Sequence, residues 1–150
     1  MKKIGTYTTR GSVQTDNSLH RIILDDGRFD TGYKITKFQI CAHDVDSTSI
    51  RGFSAKLMTD DDANAGINFN FENNEEIAWA FFCWDANGPQ SHIDWQLTDP
   101  DNLVIQDLFI IADETVSSSN IKMNYYIQMD KYDITDSQGA LAMVRNRSQA

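Results

Sequence analysis

Positive charge is missing from the middle of this 150-residue chain: no Lys or Arg occurs from Leu57 through Asn120, a stretch that carries thirteen Asp and Glu. Residues 1–56 have a net charge of +3 and residues 121–150 of +1, so the overall −9 is concentrated in the centre. Neutralising phosphates needs a basic stripe, so the body of the chain is not expected to bind nucleic acid. An acidic face meeting a basic partner fits better, beside the plainer reading that these acids are solvated loop residues that keep the protein soluble. Cysteine is scarce too. Cys41 and Cys83 stand in apolar contexts without a CxxC partner, and they are read as small buried hydrophobes, not as a disulfide framework, metal ligands or nucleophiles. No apolar run approaches the roughly 20 residues of a membrane span, and residues 1–11 hold none of signal-peptide length, so a soluble product made in the cytoplasm is expected. There are only two prolines, Pro89 and Pro100, and no repeat of solenoid or propeller period.

What is present is enough for one core. The chain is 41% hydrophobic and 11% aromatic, which fits a single domain over residues 1–150. From 120 to 130, Ile121, Met123, Tyr125, Ile127 and Met129 alternate with polar partners, the clearest strand signature in the chain. Residues 103–112 are more continuously apolar and suit a central strand buried on both faces. Shorter strand-like runs cover 4–9, 19–24, 33–42, 50–58, 68–71, 77–84 and 92–97. Turn-forming residues punctuate them, as in Asp25-Asp26-Gly27, Asn73-Asn74 and Asn87-Gly88-Pro89. The expected fold is therefore all-β, a β-sandwich or jelly roll of about eight strands. Beyond the last strand, Asp136 or Ser137 is placed to cap a short helix reaching Arg147, which Gly139 weakens in favour of an extended arm. Residues 1–11 are read as a second, N-terminal arm.

Chemistry is harder to find. None of the three histidines sits in a nucleophile motif; His43 beside Asp44 and His92 near Asp94 read as solvated loop residues, and no catalytic group is assigned. Glu75 and Glu76 are adjacent on a strand and face opposite sides, which separates their chemistry. Asp60, Asp62 and Asn64 occupy the first, third and fifth positions of an EF-hand-like loop. Ala65 then replaces the required Gly and Phe71 the bidentate Glu, which leaves a non-EF calcium site or a charged hairpin tip. Trp79, Trp84 and Trp95 cluster with Phe81 and Phe82. Alternation puts Trp79, Phe81 and Cys83 on one face and Ala78, Ala80, Phe82 and Trp84 on the other, which favours core or interface packing; the alternative is a sugar platform at Trp84 or Trp95.

Several segments form a set: ILDDGRFDTGYKI (23–35), NEEIAW (74–79), DPDNLVIQDLF (99–109), NYYI (124–127), DKYD (130–133) and GALAMVRNRS (139–148). Covering about a third of the chain, they resemble small virion structural proteins of marine bacteriophages and related viruses. The resemblance implies a capsid component of decoration or cement type, β-rich, oligomeric and seated on a capsid lattice. The chain is shorter than the commonest major capsid protein of tailed phages and lacks its long helix, while a single jelly-roll coat protein stays open. On this reading the partners are a capsid protein and copies of itself. The basic ends, with Lys2, Lys3, Leu141, Val144, Arg145 and Arg147, would reach neighbouring subunits, and no cofactor beyond the calcium alternative is expected.

Overall fold

Alternating apolar and polar residues can bury one face of an extended chain, and eight stretches do so here. The computed structural model describes residues 2–24, 27, 30–44, 50–62, 66–85, 91–105, 107–115 and 121–134. In chain order the strands are β1 (Lys2–Gln14), β2 (Asp16–Ile23), β3 (Thr31–Ala42), β4 (Arg51–Met58), β5 (Glu76–Asp85), β6 (Ser91–Thr98), β7 (Asp107–Glu114) and β8 (Lys122–Asp133). They form two sheets, β1-β8-β3 and β2-β7-β4-β5-β6, in which every neighbouring pair is antiparallel. The chain is thus all-β, as its periodicity implies. None of the described residues forms a helix long and apolar enough to cross a membrane.

The sheets pack through the faces that alternation selects. From the three-stranded sheet come Ile35, Phe38, Ile40, Met123, Ile127 and Met129; from the five-stranded sheet come Phe53, Leu57, Phe82, Leu108 and Ile110, all in one buried cluster. Ala112, Ala55 and Ala80 lie side by side across β7, β4 and β5. This row of small side chains leaves room for larger ones opposite, such as the fully buried Phe38 and Ile127. Strand β7 is central and largely buried, in line with its unbroken apolar composition. The chain passes from one sheet to the other at Thr15, whose amide and hydroxyl both donate to the Ile121 carbonyl, at 3.0 and 2.8 Å. Asn17 follows at φ 57°, a left-handed conformation that Asn tolerates, where the β2–β7 register slips.

Several sequence expectations differ from the structure. Residues 2–11 are not a free arm: they pair along β8 from Lys2 opposite Asp133 to Gly11 opposite Tyr125, as an edge strand. Residues 68–71 form no strand, and residues 103–105 precede β7 instead of opening it. Cys41 is exposed and Cys83 half-buried, because both point away from the inter-sheet core. The expected C-terminal helix, with Leu141, Val144, Arg145 and Arg147, lies outside the described residues. The described body reaches Ile134, which is fully buried with Leu103 and Ile105 in a second small cluster.

Phe38 has no exposed surface and belongs to the main cluster. Phe38→Ala should cost about 3–5 kcal/mol in urea unfolding; a loss below about 1 kcal/mol would mean that the two sheets do not share this core.

Candidate functional site

Sheet position explains which side chains are left over for function. On the outer face of the five-stranded sheet, Ile111, Lys56, Trp79 and Leu97 form one row across β7, β4, β5 and β6, and Asp113, Ser54, Phe81 and Trp95 form the next. An outward-facing lysine is ordinarily exposed. Lys56 has no exposed surface at all, because the β4–β5 connection folds back over it. Its Nζ donates to the Asn68 carbonyl at 2.8 Å and pairs with Glu76 Oε2 at 3.1 Å. Glu76 Oε1 accepts from the Asn70 amide and from Trp79 Nε1. Phe71 meets Trp79 edge-on at 4.5 Å, and Phe69 stacks on Trp95 at 6.2 Å. Glu75 turns the other way and accepts from the Thr59 hydroxyl, so the adjacent acids serve different partners.

This cover ends at β6. There Ile93, Trp95 and Leu97 are 54, 41 and 44% exposed, Trp95 with Phe69 stacked on one side of it, and Phe71 at the margin of the cover is 60% exposed. Three large apolar side chains at alternate positions of one edge strand make a continuous apolar ridge.

The inward face of β6 is also open, since three strands cannot cover five. His92 and Asp94, opposite Trp84 and Phe82 in the ladder, are exposed there. They help line an open cavity of about 700 Å³ to which β1 gives Arg10, Gly11 and Ser12, β3 gives Gln39, Ile40 and Cys41, β5 gives Phe82, and β8 gives Asn124, Tyr125 and Tyr126. His92 rests edge-on against Phe82 at 5.3 Å. A Cβ on Gly11 would fall 2.8 Å from the Tyr125 hydroxyl oxygen, so the bare glycine lets that ring lie across β1. Burial pushes the Tyr125 hydroxyl pKa above its usual value.

A Ser, His and Asp do converge on β2, a grouping that sequence reasoning passed over. Ser18 Oγ donates to Asp16 Oδ1 at 2.6 Å, and His20 Nε2 lies 3.2 Å from the same oxygen and 3.3 Å from Ser18 Oγ. In a nucleophilic triad the base binds serine through one ring nitrogen and acid through the other. Here a single nitrogen faces both, and serine bonds the acid directly, so the cluster supplies no general base to the hydroxyl. It organises the turn around Asn17. The Ser18 hydroxyl, with the Ser18 amide and His20, holds the Asp16 carboxyl below its ordinary pKa.

The residues singled out from sequence are dispersed. Trp84 packs against the core on the inner face and Trp95 lies on the outer face, so they do not share a platform. Lys3 pairs with Asp130 at 3.3 Å, and Lys2 is exposed in the same edge strand. Asp60 is exposed and Asp62 half-buried in the β4–β5 connection, while Asn64 lies outside the described residues. Among the described residues no three His, Cys, Asp or Glu side chains converge as metal ligands. His92 belongs to β6, not to a loop. The Lys56–Glu76 pair had one signal in sequence: a lone lysine inside an apolar run, last before the stretch without positive charge. No family model matches the chain, and no curated protein matches it either.

Two outcomes follow from this geometry. Lys56→Met leaves Glu76 buried without its cation and should cost about 3–5 kcal/mol in urea unfolding, with part of the loss recovered in Lys56→Met/Glu76→Gln; an unchanged midpoint would contradict the pair's role. Because the folded Asp16 pKa is depressed, its stabilisation is present above the ordinary carboxylate pKa and lost as pH falls through the folded value. Asp16→Asn should therefore be less stable than wild type at neutral pH and equal to it in strong acid. An equal deficit at both would assign the effect to something other than the charge.

Proposed function

We propose that this protein is a structural assembly module without enzymatic activity, built to bind other protein subunits through the outer face of β6. The observation that carries the reading is the apolar ridge of Ile93, Trp95 and Leu97, with Phe71 at its margin. Exposed apolar patches of this kind mark interaction sites. A sugar-stacking platform is a weaker fit for the ridge: branched aliphatic side chains flank Trp95 on both sides, where a saccharide would need hydrogen-bonding groups. Charge supports a protein partner as well, since the β6 face belongs to the stretch without Lys or Arg while β1 carries Lys2, Lys3 and Arg10.

The strand order extends the reading. Pairs β1–β8, β2–β7 and β4–β5 are those of a long hairpin rolled into two sheets, the plan of a jelly roll. The remaining pair, β3–β6, is replaced: β6 stays on β5, and Val104, just after β6, bridges to Tyr33 of β3. We take the fold to be a jelly roll opened at this corner. Jelly rolls recur in viral coats and in lectins, an analogy of fold alone. Together with the sequence resemblance it supports a virion location, as a capsid decoration, cement or minor coat protein made in the host cytoplasm, with a capsid protein and copies of itself as partners.

Sedimentation of the wild type from dilute to concentrated solution should show mass rising above that of one chain. Ile93→Lys/Leu97→Lys, which touches only exposed positions, should remain monomeric with an unchanged circular dichroism spectrum. A wild type that stays monomeric throughout, or a double variant that still associates, would contradict docking through β6.

A further inference from the structure

Four strands lie at sheet edges, and three of them carry features that discourage a further strand from pairing. Strand β1 has Lys2, Lys3 and Arg10 and a register shift after Lys3. Strand β3 has Lys34 and Lys37 and a shift after Ile35, and β2 has Arg21, the left-handed Asn17 and a shift after Asp16. Strand β6 has none of these. Between Ser91 and Thr98 it contains no Lys, Arg or Pro, and it pairs with β5 along its whole length without a shift. It also exposes apolar side chains at three alternate positions, Ile93, Trp95 and Leu97. The direction of its backbone groups follows from the ladder. The Asp99 amide donates to the Ile77 carbonyl at 2.8 Å, one step beyond the Ala78–Thr98 pair. Bonded pairs alternate along an antiparallel ladder, so Leu97, Trp95 and Ile93 exchange bonds with β5, while the amides and carbonyls of Thr98, Gln96, Asp94 and His92 point to the far edge. No described strand lies there.

This strand is complementary to itself. Set antiparallel to a second copy with Trp95 opposite Trp95, it places Ile93 against Leu97, Asp94 against Gln96 and His92 against Thr98. The last two are then the bonded pairs, the Gln96 side-chain amide can donate to the Asp94 carboxylate, and the apolar ridges of the two copies join on one face. The neighbouring registers are worse. Sliding the copies by two residues one way opposes Asp94 to Asp94, a like-charge pair, and the other way sets Ile93 against Asp99, beyond the end of the strand. The one charge on this edge thus selects a register. We propose that two copies of this chain pair through the far edges of β6 about a two-fold axis, joining their five-stranded sheets into one continuous sheet. This rests on the assembly reading above and gives the ridge its partner and its register.

Two measurements separate edge pairing from docking through the outer face alone. Gln96→Pro removes an amide donor that points away from β5 and leaves the apolar ridge intact. It should sediment as a monomer where the wild type associates, with an unchanged circular dichroism spectrum. In a Cys41→Ser/Cys83→Ser background, Ile93→Cys and Leu97→Cys chains mixed and oxidised should form a disulfide-linked dimer, since the Cα atoms of such a facing pair lie about 4.5 Å apart. Ile93→Cys alone should not link, because its two copies would be about 13 Å apart along the strands. If the wild type associates and folded Gln96→Pro does so equally, or the mixed cysteines do not link, edge pairing is overturned while docking through the outer face of β6 stands. Linking of Ile93→Cys alone would overturn the register and with it the proposal. A wild type that stays monomeric at all concentrations overturns both.

Discussion

A five-stranded antiparallel sheet has two faces to bury, and among the described residues three strands and one connection cover them. The inner face receives β1-β8-β3, which is two strands too narrow; the outer face receives the β4–β5 connection, held down by Lys56 and Glu76. Both covers thin out along β6, where Phe69 reaches Trp95 on one face and His92 and Asp94 stay exposed on the other. That strand therefore keeps an apolar outer surface, a polar inner surface beside a cavity, and a far edge with no partner among the described strands. A surplus strand of this kind is a liability unless something else uses it.

The buried ion pair matters for this outcome more than for net stability. Two charges taken out of water recover little beyond their desolvation cost, and apolar replacements often do as well. What the pair supplies is placement: Lys56 can satisfy its donors only if Asn68 and Glu76 are where they are, which lays Phe69 and Phe71 on Trp95 and Trp79. The outer cover is thereby fixed in extent, and so is the boundary at which the exposed ridge begins. Strands β5 and β6 lie in the stretch of the chain that carries thirteen Asp and Glu and no Lys or Arg, which suits approach by a basic surface.

Much of the fold is legible in the sequence because a period of two is written directly into β8, and the face assignment of Trp79, Phe81, Phe82 and Trp84 follows from it. The segment around Phe69 and Phe71 misleads for a physical reason. Two aromatics at alternate positions mimic a strand, yet the segment rests against a sheet without joining its ladder, Phe69 stacked on Trp95 and Phe71 edge-on to Trp79. The basic start of the chain reads as an arm, since nothing local reveals that residues 2–14 pair with a strand more than a hundred positions away. The cavity was not legible for the same reason. Arg10, Gln39, His92, Asp94 and Asn124 come from four strands, and each alone looks like a solvated surface residue.

The central claim is that the exposed face of β6 is covered by protein when the chain assembles. Hydrogen exchange across residues 91–98, followed by mass spectrometry in dilute and in associated protein, tests it most directly. The account predicts slowed exchange in this segment on association, with Phe71 and its neighbours following. Association that leaves β6 exchange unchanged and protects another surface would contradict it.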